Sequence, residues 1–84
     1  MKIKDSQTFI LTNDHVTLGQ LLKLSGVIGS GGEAKLYLAS STVMVNAHIE
    51  NRRGRKLRSG DIINTPGGLQ ITVVNHAMLN GAVD

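Results

Sequence analysis

The sequence contains no cysteine in 84 residues. Disulfides, thiol nucleophiles and every cysteine-ligated zinc site are therefore excluded, and a reducing compartment is the expected setting. Tryptophan is also absent, and there is one phenylalanine and one tyrosine. Proteins that read single-stranded RNA stack bases on aromatic side chains. Phe9 falls in an expected strand and Tyr37 on an expected helix stripe, so both are assigned to the core and neither is left for stacking. Apolar runs are only a few residues long, far short of the ~20 needed for a membrane-spanning helix. No apolar stretch of the signal-peptide kind follows Met1-Lys2-Ile3-Lys4-Asp5. A soluble, cytoplasmic protein is expected.

The recognisable catalytic patterns are missing as well. His15, His48 and His76 are widely separated, with no metal-ligand spacing, and read as surface or turn residues. There is no Gly-x-Ser-x-Gly and no evident pair of acids, and Gly29-Ser30-Gly31-Gly32 is not followed by the Gly-Lys-Ser/Thr of a phosphate-binding P-loop. No enzymatic activity, metal, cofactor or small-molecule substrate is expected. A chain this short buries only about 60–65% of its unfolded surface, which leaves a thin core and no depth for a catalytic cavity.

Charge is present, and it is unevenly placed. The formal net charge is +3, from nine Lys and Arg against six Asp and Glu. Arg52, Arg53, Arg55, Lys56 and Arg58 supply five of those nine cations, so the rest of the chain holds four cations against six acids. A mildly acidic body with one dense cationic segment points to a localised anionic partner.

Local patterning outlines the fold. Residues 7–12 read as a strand rich in β-formers, and Asn13-Asp14-His15 as a turn. Residues 16–25 read as a helix, with Thr17 as N-cap, Gln20 completing a capping box, Val16 and Leu21 as a hydrophobic staple, and Gly26 as the stop. Gly19 costs that helix ~1 kcal/mol relative to Ala, so a close approach there is expected to require it. Ser30 and Glu33 read as a second capping box, opening a helix that runs to about residue 39 or 40. Residues 42–45 read as a strand and Asn46-Ala47-His48 as a turn. Residues 50–59 read as a polar loop, and residues 62–65 and 69–74 as strands about the turn Pro66-Gly67-Gly68. The fold class is α+β, a helical hairpin packed on a small, mainly antiparallel β-sheet. Residues 1–74 are expected to form one domain and residues 75–84 a loose tail.

The helical pair, followed by Val43-Met44-Val45-Asn46 and later Gly60-Asp61-Ile62-Ile63, resembles the RNA-binding domain named after small-subunit ribosomal protein S-four, the alpha-L motif. The likeness covers about residues 17–63. Thr17-Leu18-Gly19-Gln20, Ser30-Gly31-Gly32 and Asn51-Arg52-Arg53-Gly54-Arg55-Lys56-Leu57 are similar to small stand-alone bacterial members of the YaaA type. The resemblance implies binding of structured RNA, ribosomal or transfer RNA, with the ribosome or a ribosomal precursor as partner. The implied setting is ribosome assembly or translation quality control. The chain departs from the broader family in three places. Thr17-Leu18-Gly19 replaces an Arg-Leu-Asp helix opening, Ser30-Gly31 replaces Ser-Arg, and Ala47 stands where a Gly follows the strand Asn. With two customary arginines missing, weight shifts to the segment 52–58.

Arg52, Arg53, Arg55, Lys56 and Arg58 are the leading RNA-contact candidates, because guanidinium forks fit phosphate oxygens and a dense cationic run releases counterions. A solvated loop is the bland alternative; the flanking Glu50 and Asp61 lie outside the run, with no acid inside it. Ser30, Gly31 and Gly32 could seat a phosphate at a helix start, although a simply capped turn is the commoner use of such residues. Lys23 and Lys35 could extend the basic face or be ordinary exposed lysines. Asn46 reads first as a turn former and second as an RNA contact. A protein-interaction adaptor and a DNA-binding accessory factor would use the same basic loop, since phosphate contacts alone do not identify the sugar. Replacing Arg52, Arg53 and Arg55 together by Glu is expected to abolish nucleic-acid binding and leave the circular dichroism spectrum unchanged; undiminished binding would refute the assignment.

Overall fold

The computed structural model describes residues 3–75. The expected tail, apart from Asn75, and His76 lie outside them. The chain runs β1 (Asp5–Ile10), β2 (Val16–Thr17), α1 (Leu18–Leu24), α2 (Glu33–Ser40), β3 (Met44–Val45), β4 (His48–Ile49), β5 (Lys56–Leu57), β6 (Ile62–Asn64) and β7 (Leu69–Val74). The fold is α+β, with two helices and a mainly antiparallel sheet.

The main sheet has the order β1-β7-β6-β3-β4. Among the described residues its one parallel contact is β1 on β7, with Asp5 opposite Leu69 and Ile10 opposite Val74. Apolar and polar residues alternate in β7: Ile71 and Val73 are fully buried while Gln70 and Thr72 lie on the other face. Val45, Ile63 and Ile71 are cross-strand partners and form one buried apolar row. Leu18, Leu21 and Leu22 of α1, with Ala34 and Leu38 of α2, complete the core against that row. The opposite face of the sheet carries the exposed Ile10, Ile49 and Ile62.

Helix α1 begins and ends as its sequence dictates. The Thr17 hydroxyl accepts from the Gln20 N–H at 3.3 Å, and the Gln20 side chain accepts from the Thr17 N–H at 3.1 Å. At the far end Gly26 has φ +79°, and the Val27 N–H reaches the Leu22 carbonyl at 2.9 Å, which closes a Schellman turn. The helix is shorter than expected because Val16 and Thr17 are recruited as β2, paired with Leu57 and Lys56 of β5.

The second helix corrects an expectation. Its N-cap is Gly32, with no side-chain cap, and Ser30 lies outside it. The Glu33 carboxylate accepts instead from the Gly29 N–H at 3.0 Å, and Gly31 and Gly32 form a turn bonded from the Glu33 N–H to the Ser30 carbonyl at 3.1 Å. Two successive glycines are poor helix formers, so the regular helix starts only after them. The supposed polar loop at 50–59 is also corrected, because it contains β5.

The turn from β3 to β4 holds both central residues at positive φ, Asn46 at 51° and Ala47 at 69°. Asn tolerates this region, whereas a residue with a plain Cβ pays roughly 1–2 kcal/mol there. Ala47→Gly relieves that strain and gives back about 0.4–1 kcal/mol through greater unfolded-state freedom. The variant is expected to be more stable by about 0.5 kcal/mol in urea unfolding, and a lower midpoint would show that the turn is not strained.

Candidate nucleic-acid interface

The basic segment is built on the N-terminus of α1. Residues 52–55 close a turn in which the Arg55 N–H donates to the Arg52 carbonyl at 3.1 Å. The Arg53 carbonyl accepts from the Gly19 N–H at 2.9 Å, and the Arg55 carbonyl accepts from the Leu18 N–H at 2.8 Å. The opening amides of α1, which a helix cannot satisfy internally, are thus occupied by the loop and by Thr17. They hold the basic segment in place and are not open to an anion.

Gly19 explains how close this docking is. A Cβ placed there would lie 3.4 Å from the Ala34 Cβ, the Arg53 Cβ and the Arg53 carbonyl oxygen. Helix α1, helix α2 and the basic turn converge at that residue, as the sequence cost of a helical glycine implied.

The five cations fall into distinct groups. Glu50, buried at 7% relative exposure, gathers two of them. It accepts from Arg52 at Nε (2.9 Å), at Nη2 (3.1 Å) and at the backbone N–H (3.1 Å). It also accepts from Arg55 Nη1 at 2.8 Å. The hydrogen bonds from Arg52 hold the Glu50 carboxyl down at about 2, assisted by Arg55 and opposed by burial. Arg58 makes a looser exposed contact with Asp14 at 3.6 Å, and its backbone N–H donates to Asp61 at 2.8 Å. Among the described residues Arg53 and Lys56 take no ion pair, and both are exposed.

The sequence reading that no acid neutralises the run is therefore corrected. Glu50 folds in from its edge and pairs with Arg52 and Arg55. The triple Glu replacement is corrected with it, because turning Arg52 and Arg55 into acids would confront the buried Glu50 with two more negative charges. Unchanged circular dichroism is no longer expected for that variant.

The remaining candidates are dispersed. Lys23 and Arg53 line one groove of about 310 Å³, together with Gly19, Gly31 and Gly54. Lys35 is exposed on α2 and lines neither this groove nor the Glu50 cluster. Ser30 lies within 3.5 Å of the Glu33 carboxylate, so a negative charge already sits at the turn formed by Ser30, Gly31 and Gly32. Asn46 is a fastener: its Nδ2 donates to Asp61 at 2.9 Å and its Oδ1 accepts from the Ile62 N–H at 2.9 Å. His48 is exposed, but His15 is half-buried, with a buried Nδ1 that has no partner among the described residues. No group of His, Asp or Glu among the described residues could hold a metal ion, and no helix there is long and apolar enough to cross a membrane. Phe9 and Tyr37 both pack against the core.

Sequence reasoning missed Glu50. The available signal was its isolation, since it is the only acid between Glu33 and Asp61 and stands two residues before the first arginine.

Comparison with known proteins adds a family. The profile of the S4 domain matches residues 9–74. A Bacillus subtilis (strain 168) protein carrying the provisional name ribosome maturation protein RlbA is 48% identical over 65 residues, covering 77% of this chain and 92% of its own. An Escherichia coli (strain K12) protein carrying the provisional name RNA-binding protein YbcJ is 38% identical over 53 residues, covering 63% of this chain and 76% of its own. No solved structure gives a significant match.

The Glu50 cluster has a pH signature. A carboxylate lowered from 4.5 to about 2 stabilises the fold above its unfolded value and loses that contribution as pH falls through the interval between them. Glu50→Gln is expected to lower stability by about 1–3 kcal/mol at neutral pH. Thermal melts should show the gap from wild type narrowing as pH drops from 4.5 towards 2; a gap independent of pH would dismiss the charge as its source.

Proposed function

The chain belongs to the S4 domain family, and from that premise we propose that it binds structured RNA through the basic segment 52–58 and acts in ribosome maturation in the cytoplasm. The observation that carries this reading is that Arg53, on a turn fixed to α1, and Lys56, at the start of β5, are exposed and take no ion pair among the described residues. Arg58 and Lys23 extend the cationic surface, and Arg52 keeps donors to spare, because a guanidinium has five N–H groups. Lys35 is a secondary contact. Asn46, Ser30, Gly31 and Gly32 are assigned to shaping the scaffold.

The name of the Bacillus subtilis relative supports a ribosomal RNA or a ribosomal precursor as the target, and that of the Escherichia coli relative supports RNA binding. With Phe9 and Tyr37 packed against the core, the protein has neither ring free to stack splayed bases. It therefore recognises the phosphate path of a folded or double-stranded region. The protein works as a binder and not as an enzyme: its site chemistry is guanidinium and ammonium, which donate hydrogen bonds at neutral pH and supply neither base nor nucleophile.

If about four phosphates are neutralised, log affinity against log salt falls with a slope of about −3 to −4. Arg53→Glu with Lys56→Glu, which leaves the Glu50 contacts intact, is expected to abolish binding to an RNA hairpin. The same titration with a DNA hairpin is expected to show weaker binding. Unchanged RNA affinity in the double variant, or equal affinity for both hairpins, would defeat the assignment.

A further inference from the structure

We propose that Glu50 is a positioning residue for RNA binding: its carboxylate holds Arg52 and Arg55 so that the basic turn is shaped before RNA arrives. This rests on the RNA-binding reading above and deepens it. Simple charge counting gives the opposite expectation. An acid beside a cationic surface lowers the potential that attracts phosphate, so its neutralisation should tighten binding.

The geometry points the other way. Glu50 engages both edges of the segment, with Oε2 receiving the Arg52 N–H and Nε, and Oε1 receiving Arg52 Nη2 and Arg55 Nη1. Arg52 and Arg55 are the first and last residues of the turn whose second residue is Arg53. One carboxylate therefore ties the two ends of the turn together, with Arg53 exposed between them. The Arg52 pairing is bidentate through Nε and Nη2, which fixes the plane of the guanidinium and leaves Nη1 directed away from the carboxylate. The Arg52 side chain stays 72% exposed despite the pairing, whereas that of Glu50 is 8% exposed. A buried acid thus aims an accessible cation, and ordering these long side chains in advance spares RNA binding that entropic cost.

The experiment uses the full chain, an RNA hairpin and the Glu50→Gln and Glu50→Asp variants, measured well below each melting temperature. Glu50→Gln raises the net charge by one, yet it is expected to bind about tenfold more weakly, a factor equal to about 1.4 kcal/mol. Glu50→Asp, which keeps the charge at shorter reach, is expected to recover part of the loss. The penalty should also shrink when Arg53→Gln is added, since Glu50 acts through the placement of that turn; a general stability defect would leave the penalty unchanged. In the free protein, the Arg52 Nε–H resonance is expected to exchange slowly in the wild type and rapidly in Glu50→Gln. Equal or tighter binding by Glu50→Gln overturns the positioning role alone. Failure of the wild type to bind the hairpin overturns the RNA-binding reading and the positioning role with it.

Discussion

One buried carboxylate gives order to the part of the molecule that carries most of its positive charge. Glu50 accepts four hydrogen bonds from Arg52 and Arg55. Without it the two guanidinium groups, beside Arg53 and Lys56, would spread apart by mutual repulsion. Burial alone would push such an acid towards its neutral form, but here the arginine hydrogen bonds outweigh burial and keep it ionised. The cationic segment is consequently a folded element and not a solvated loop.

That element is joined to the hydrophobic core by short-range means. The two-residue pairing of β2 with β5 seats Leu57 among fully buried residues, and the carbonyls of Arg53 and Arg55 close the start of α1. Gly19 leaves space for the approach. On the far side, Asn46 and Asp61 link the β3–β4 turn to the backbone of Arg58 and Ile62. The polar segment 50–59 is thereby pinned at both ends, with the greatest density of charge between the pins.

What could be read from the sequence follows the range of the forces involved. The Thr17–Gln20 capping box, the stop at Gly26 and the alternation of β7 are local, and each appears where the residues place it. The α+β class follows from the same local signals. The pairing of Val16 and Thr17 with Leu57 and Lys56 joins distant segments and has no periodic trace, so the sequence around β5 reads as loop. Ser30 and Glu33 have capping-box spacing, but the glycines between them let the backbone tighten into a turn and send the Glu33 carboxylate to Gly29 instead. Composition located the basic run. It could not apportion the run between the arginines that hold Glu50 and the exposed Arg53 and Lys56, which take no ion pair among the described residues, because that division depends on where one acid is buried.

The position of β7 bears on how the molecule comes into being. It lies between β1 and β6, and among the described residues β1 has no other neighbour in the sheet. A growing chain that already contains both helices and the arginines still has an unmatched first strand. Its partner is β7, the last strand among the described residues, so the pairing joins segments far apart in the sequence. Contacts of such long sequence separation demand costly loop closure and slow the final step of folding. The sheet therefore closes only after β7 has been made, later than both helices and the basic segment.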